Sequence, residues 1–174
     1  MSDCCSTPAL AAPETAKPVK PKLSCPRCGQ PGQFVPMQTL KHQVRPEHLE
    51  TVESGAFNFC RTAACDVVYF SDGGTVLTKA DARQRIGLKE TEDPLPICYC
   101  FGFTEKMLRD EIHATGQCTI PQRITAEIKA GTCACEIRNP QGTCCLGNVT
   151  ATVKKIIAPL TFRANAGTAA ASKA

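Results

Sequence analysis

The sequence predicts an α+β fold made of two small modules, the first β-rich and the second helical. Three observations predict it. Strand-like runs and turn signals fall within residues 23–90, whereas the segments with apolar residues three and four apart lie beyond Pro94 and Pro96. Large aromatics are scarce, with 7 Phe, 2 Tyr and no Trp in 174 residues, so neither module can draw a large core from them. The 13 cysteines are mostly grouped, with one set on each side of the prolines, and small domains that lack core volume are often held by metals or disulfides.

Each element follows from local chemistry. Residues 1–22 read as a disordered arm, because Pro8, Pro13, Pro18 and Pro21 punctuate a stretch with almost nothing to bury. The first module is expected over 23–93. Gln33–Phe34–Val35 reads as a strand after a C-P-R-C-G knuckle, and Val67–Val68–Tyr69–Phe70 as a second strand ending in the turn Asp72–Gly73–Gly74. The long gap between Cys28 and Cys60 is expected to hold a hairpin and the segment from Pro46 to Ser54.

The second module is expected over 94–160. Thr104 caps a helix over 105–115, with Met107, Leu108, Ile112 and the methylenes of Glu111 on one side, and Gly116 stops it. A second helix starts at Pro121 and ends at Gly131, with Ile124 and Ile128 four apart. A third runs over 149–158, its stripe formed by Val149, Val153, Ile156 and Ile157, and Pro159 ends it. Residues 161–174 read as an Ala/Gly/Ser/Lys tail, and there is no internal repeat.

No apolar run approaches the ~18 residues of a membrane helix. The N-terminus carries Asp3 in place of a basic region, its apolar stretch is only Ala9 to Ala12, and no lipobox-type run precedes Cys4. A cytoplasmic location is therefore expected, where thiols stay reduced and disulfides are rare. An odd number of cysteines also prevents complete pairing. Metal binding is the reading that accounts for the cysteines.

The first constellation is Cys25, Cys28, Cys60 and Cys65, as C-x2-C followed by C-x4-C. This spacing suits a tetrahedral zinc site, because a two-residue knuckle turns both sulfurs inward and Gly29 relieves the turn. Four Cys leave no open position, so such a zinc is structural. His42 and His48 lie between the pairs and offer a rival three-Cys, one-His site or a copper role; His113 reads as a surface residue.

The second constellation is C-Y-C-F at Cys98 and Cys100, then C-A-C-E-I-R-N-P-Q-G-T-C-C-L-G carrying Cys133, Cys135, Cys144 and Cys145. C-x-C is a poor zinc knuckle but a recurrent iron–sulfur one, and all-Cys ligation is usual for [2Fe–2S]. Asn139–Pro140–Gln141–Gly142 is a turn signal that doubles the chain back between Cys135 and Cys144. Four later thiols compete for two places. Cys118, between the helices, reads as an ordinary half-buried thiol.

The C-x-C, two helices and later Cys pairs resemble the bacterioferritin-associated ferredoxin-like [2Fe–2S] domain. With the four-Cys module, V-V-Y-F-S-D-G-G and R-I-G-L-K-E added, residues 23–158 resemble the N-terminal metal domain of CopZ-type copper chaperones. The resemblance implies one zinc at Cys25, Cys28, Cys60 and Cys65. It implies a [2Fe–2S] cluster at Cys98, Cys100 and one Cys from each later pair: Cys135 and Cys145 are favoured, with Cys133 and Cys144 as alternates. It also implies delivery of an electron to Cu(II). The chain ends at Ala174 without the M-x-C-x-x-C copper loop of that family, so the electron-transfer half is what it is expected to keep. The vicinal Cys4 and Cys5 are the remaining candidate Cu(I) ligands.

The net charge of +4 is uneven, since no acidic residue follows Glu136 while Arg138, Lys154, Lys155, Arg163 and Lys173 do. Eight metal-bound thiolates, one zinc and one oxidised cluster would bring the protein near neutrality, which argues against a nucleic-acid partner. The expected function is one-electron transfer in copper handling, reducing Cu(II) to Cu(I) for trafficking or resistance. The partners expected are copper ions, a copper-transporting ATPase or separate copper chaperone, and an electron donor. The rival readings are a ferredoxin-like partner of another oxidoreductase and a metal-responsive binding module. No hydrolytic constellation or phosphate loop is present, so a metabolic enzyme is not expected.

Overall fold

A four-stranded antiparallel sheet, ordered β1-β2-β3-β4, forms the first half of the computed structural model. The structure describes residues 23–52 and 55–170, with side chains to 159. The expected arm at 1–22, with Cys4 and Cys5, and the last four residues lie outside the described residues.

The strands are β1 (Gln33–Val35), β2 (Phe57–Phe59), β3 (Val67–Ser71) and β4 (Val76–Thr78). Gln33 pairs with Phe59, Phe57 with Ser71, and Phe70 with Val76. Residues 67–70 are buried without alternation because both faces of the sheet are covered. One face packs on Val35, Leu40, Val44, Val52, Phe57 and Phe59; the other packs on Cys25, Cys60 and Cys65. A register shift between Val67 and Tyr69 lets the neighbours Val68 and Tyr69 join the first cluster while Val67 and Phe70 join the second.

Between β1 and β2 the chain forms α1 (Met37–Gln43) and a 3-10 segment, Pro46–Val52. The expected hairpin in this gap is thus an antiparallel pair, β1 with β2, interrupted by an unexpected helix. The physical reason is visible in the helix itself. Its buried residues are Thr39, Leu40 and Gln43, two of them polar, so it carries no apolar stripe to announce it.

The second half starts with a ribbon of β5 (Pro96–Cys98) and β6 (Phe103–Thr104), closed by a turn in which Gly102 sits at φ 69°. Helix α2 (Glu105–Thr115) begins where expected: the Thr104 hydroxyl accepts from Met107 N at 3.3 Å, and Gly116 ends the helix at φ 74°. Leu108 and Ile112 are buried, but Met107 is 44% exposed and lies off the core face. Position 107 directly precedes Leu108, about 100° around the helix, and only the narrower stripe is covered. Helix α3 (Ile120–Lys129) starts one residue before Pro121, and a short α4 spans Cys135–Arg138.

Helix α5 (Leu146–Ala170) starts before Val149 and passes through Pro159, which corrects the expected stop there and takes the helix into the stretch expected as a tail, 161–174. Pro159 and Lys155 are both exposed, so water can meet the Lys155 carbonyl that a proline cannot satisfy. Phe103, Leu108, Ile120, Ile124 and Val149 form the core of this half around Cys98, Cys100, Cys135 and Cys145.

The two halves are joined through 79–95, where 3-10 turns Lys79–Asp81 and Gly87–Lys89 fold back on the sheet. Gly87 lies so close to the ribbon that a Cβ there would fall 1.9 Å from Pro96 O. Gly87→Ala is expected to lower stability by about 1–3 kcal/mol through overpacking. Thermal denaturation with zinc present checks it: a variant melting like the parent would mean the joint yields freely.

Candidate metal centres

The first centre is built by two turns that meet over one face of the sheet. Cys25 N donates to Gln30 O and Gly29 N to Cys25 O, both at 2.8 Å, which closes the first knuckle; Gly29 takes φ 71° to do so. Cys60 leaves β2 with its N–H on Val68 O at 2.9 Å, and Cys65 N reaches Thr62 O at 3.1 Å. The four sulfurs all lie within 4.8 Å of one another. Cys25 and Cys65 sulfurs are 3.9 Å apart, and those of Cys28 and Cys60 3.7 Å. A tetrahedral zinc with Zn–S near 2.3 Å holds sulfurs about 3.8 Å apart, so this donor set fits zinc as it stands.

The thiols of this centre are poised differently. Thr62 Oγ1, 3.3 Å from Cys28 Sγ, is the main cause that brings Cys28 down to about 6. Burial pushes Cys65 up to about 12 and raises Cys25. Beneath them lies Lys89, 5% exposed, whose ammonium donates to Thr62 O and Cys65 O at 2.9 Å each and sits 5.7 Å from the centre of the Phe59 ring. Four thiolates around Zn²⁺ leave a net negative charge, and Lys89 places one buried positive charge beside it. Nothing local in R-I-G-L-K-E marks Lys89 as buried, because a lysine's burial depends on what covers it.

His42 and His48 are elsewhere. His42 Nδ1 contacts Gln38 O at 2.9 Å, and His48 Nε2 lies 3.1 Å from Asp81 Oδ1. Among the described residues, the group that can surround one ion holds four cysteines and no histidine. His113 is exposed.

The second set is arranged as two pairs. Cys98 ends β5, Cys100 follows in the turn, Cys135 opens α4, and Cys145 immediately precedes α5, its carbonyl accepting from Val149 N at 3.0 Å. Cys100 and Cys135 sulfurs are 3.6 Å apart. Cys98 is hydrogen-bonded to Cys145, which brings Cys98 down to about 6 and holds the proton on Cys145, whose pKa is raised. Burial pushes Cys135 up to about 12. All four are buried, whereas Cys144 is exposed and Cys133 half-buried. One sulfur pair at the spacing of thiolates on a single tetrahedral ion, with the Cys98 and Cys145 thiols paired beside it, fits a group with two metal ions. Cys118 is half-buried and donates to Glu111 Oε2 at 3.4 Å.

Comparison with known proteins adds three findings. A family profile described as a zinc binding domain, zf_CopZ, matches residues 22–83. The chain is 37% identical over 123 residues to the copper chaperone CopZ of Archaeoglobus fulgidus, covering 71% of this chain and 58% of that protein. The chain thus spans a little over half the length of this curated relative. The X-ray structure of the Archaeoglobus fulgidus CopZ N-terminal domain aligns at a TM-score of 0.62 and 33% identity, over 74% of this chain and 96% of that one. Among the described residues, no helix is long and apolar enough to cross a membrane.

Two predictions follow from the thiol chemistry. In metal-free protein Cys28 should be the first thiol of its centre to be alkylated. The thiolate is the reacting form, so labelling should rise as pH climbs through about 6 and fade below it. Peptide mass spectrometry after brief iodoacetamide treatment reads this; Cys25 or Cys65 reacting first would contradict it. Lys89→Met should remove the ammonium donor from the buried Cys65 carbonyl and one of the two donors to Thr62 O, lowering stability by about 2 kcal/mol and speeding zinc transfer to a chromogenic chelator.

Proposed function

The chain belongs to the CopZ copper chaperone family through its zinc-binding N-terminal domain, and on that premise we propose that it is a two-centre electron-transfer protein of copper handling. A structural zinc is held by Cys25, Cys28, Cys60 and Cys65 in a module over 23–93. A [2Fe–2S] cluster is held by Cys98, Cys100, Cys135 and Cys145 in a module over 94–160. The function is to reduce Cu(II) to Cu(I) in the cytoplasm, with the Cu(I) passed on to a copper-binding domain or a copper-transporting ATPase.

The observation that carries this reading is the pairing of thiols in the second set, with Cys98 on Cys145 and Cys100 on Cys135. A single ion would gather all four sulfurs, as the first centre does; a two-iron cluster wants them two and two. When bound, the cluster supplies one-electron chemistry, which matches the single electron that Cu(II) accepts. The chain's own part is to keep water from the four sulfurs, with Phe103, Leu108, Ile120 and Ile124 packed around them, and to leave Cys144 outside at the surface. Soft thiolates such as Cys144, Cys4 and Cys5 suit the Cu(I) product.

The ligand assignment predicts a ranking. Cys98→Ala, Cys100→Ala, Cys135→Ala and Cys145→Ala should each abolish the visible spectrum of anaerobically purified protein, while Cys133→Ala and Cys144→Ala leave most of it. The opposite ranking within the later four would move ligation to the alternates. For the function, dithionite-reduced protein mixed anaerobically with Cu(II) should lose its reduced-cluster paramagnetic signal one-for-one with Cu(I) formed. Free thiols also reduce copper, so the control is Cys98→Ala at equal thiol content. If that variant makes Cu(I) as fast as the parent, the protein is a ferredoxin-like carrier for another oxidoreductase.

A further inference from the structure

Cys135 and Cys145 bracket a turn whose backbone carbonyls are held mainly by side chains of the other module. Thr39 Oγ1 donates to Glu136 O at 2.5 Å and Gln43 Nε2 to Ile137 O at 2.6 Å. Gln84 Nε2 donates to Arg138 O at 2.8 Å, Tyr69 Oη to Pro140 O at 2.7 Å, and Gln33 Nε2 to Gln141 O at 3.0 Å. Five carbonyls within six residues thus find donors that all belong to residues 33–84. Thr39, Gln43 and Tyr69 are almost fully buried, where a polar group without a partner is costly. Thr39 and Gln43 stand one turn apart on α1, so both point the same way, onto consecutive carbonyls.

Two further features tie the turn to both sides. Gly142 takes φ 64°, and a Cβ there would lie 2.8 Å from Thr39 Oγ1 and 2.9 Å from Pro36 Cδ, so the turn lies directly on α1. On the opposite side Arg138 Nη1 donates to Cys100 O at 3.1 Å. The turn is therefore clamped between the first module and the C-x-C segment.

We propose that Thr39, Gln43, Tyr69 and Gln84 are positioning residues for the second centre, and that the folded zinc module is the template on which the turn bearing Cys135 and Cys145 takes shape. Loss of zinc then releases the cluster thiols. Loss of the cluster leaves the zinc module standing, because its own core, from Val35 to Ile86, includes nothing from the turn. The inference rests on the proposed function only for the identity of the group at the second centre.

Two measurements test it. In zinc-loaded, iron-free chain, Thr39→Val, Tyr69→Phe and the exposed-site Gln84→Ala should each speed amide hydrogen exchange over 136–142 about fivefold, the loss of one hydrogen bond of about 1 kcal/mol. Exchange over 105–129 and zinc content should stay unchanged, and Thr39→Ser should restore protection. In chain reconstituted with iron and sulfide, the same variants should alter the visible circular dichroism of the cluster and release iron to a chelator about fivefold faster, and zinc removal should strip the cluster from the parent. The inference is overturned if 136–142 exchanges as in the parent, or if 105–129 loosens equally. If the parent takes up no cluster, the proposed function fails, and the iron-free exchange experiment still decides this one.

Discussion

The gathering of Cys25, Cys28, Cys60 and Cys65 over one face of a small sheet is the constraint on which the rest of the structure depends. Strand β3 is apolar along four consecutive residues and needs cover on both sides. A chain this poor in large aromatics has side chains enough for one face, and there Leu40, Val44, Val52, Phe57 and Phe59 supply it. The other face is closed by thiols and Phe70. Structural zinc in small peptides is worth about 10–16 kcal/mol, more than the apolar contacts of so small a layer could return. The metal therefore stands in for the missing half of a sandwich.

From that sheet the order propagates outward. Tyr69, fixed in β3 with its ring edge-on to Phe59 at 5.9 Å, carries its hydroxyl to the Pro140 carbonyl. Helix α1, laid on the first core cluster by Leu40, carries Thr39 and Gln43 to the next two contacts. The buried Lys89 binds the second knuckle to the joint, and the adjoining Gly87 N donates to Tyr99 Oη at 2.9 Å, between Cys98 and Cys100. The two centres are thus linked by two short paths of polar contacts, one through the turn at 136–141 and one through the joint.

The thiols themselves differ according to cover. Each centre has one cysteine lowered to about 6, Cys28 by a hydroxyl and Cys98 by a neighbouring thiol, beside others raised by burial. One thiolate ready at neutral pH can take the first metal bond, and the protons on the raised thiols leave as the remaining bonds form.

Much of this was legible in the sequence, and the boundary of legibility has a physical cause. Ligand spacing is a property of a few consecutive residues, so C-P-R-C-G, C-R-T-A-A-C and C-Y-C could be read directly, as could α2, whose cap, stripe and Gly116 stop are all local. What the sequence determined alone was the grouping of the cysteines, the β-then-helix order and the start and stop of α2. The tertiary structure decided what depends on distant cover. It exposed Met107 beside a buried Leu108, let α5 run past an exposed Pro159, and folded α1 from a segment with no apolar stripe. It also buried Cys135, 3.6 Å from the Cys100 sulfur, and Cys145, and left Cys144 exposed and Cys133 half-buried. Adjacent cysteines are equivalent in a string of letters. They become different only when one side of the turn is held against another module and the other side is left to water.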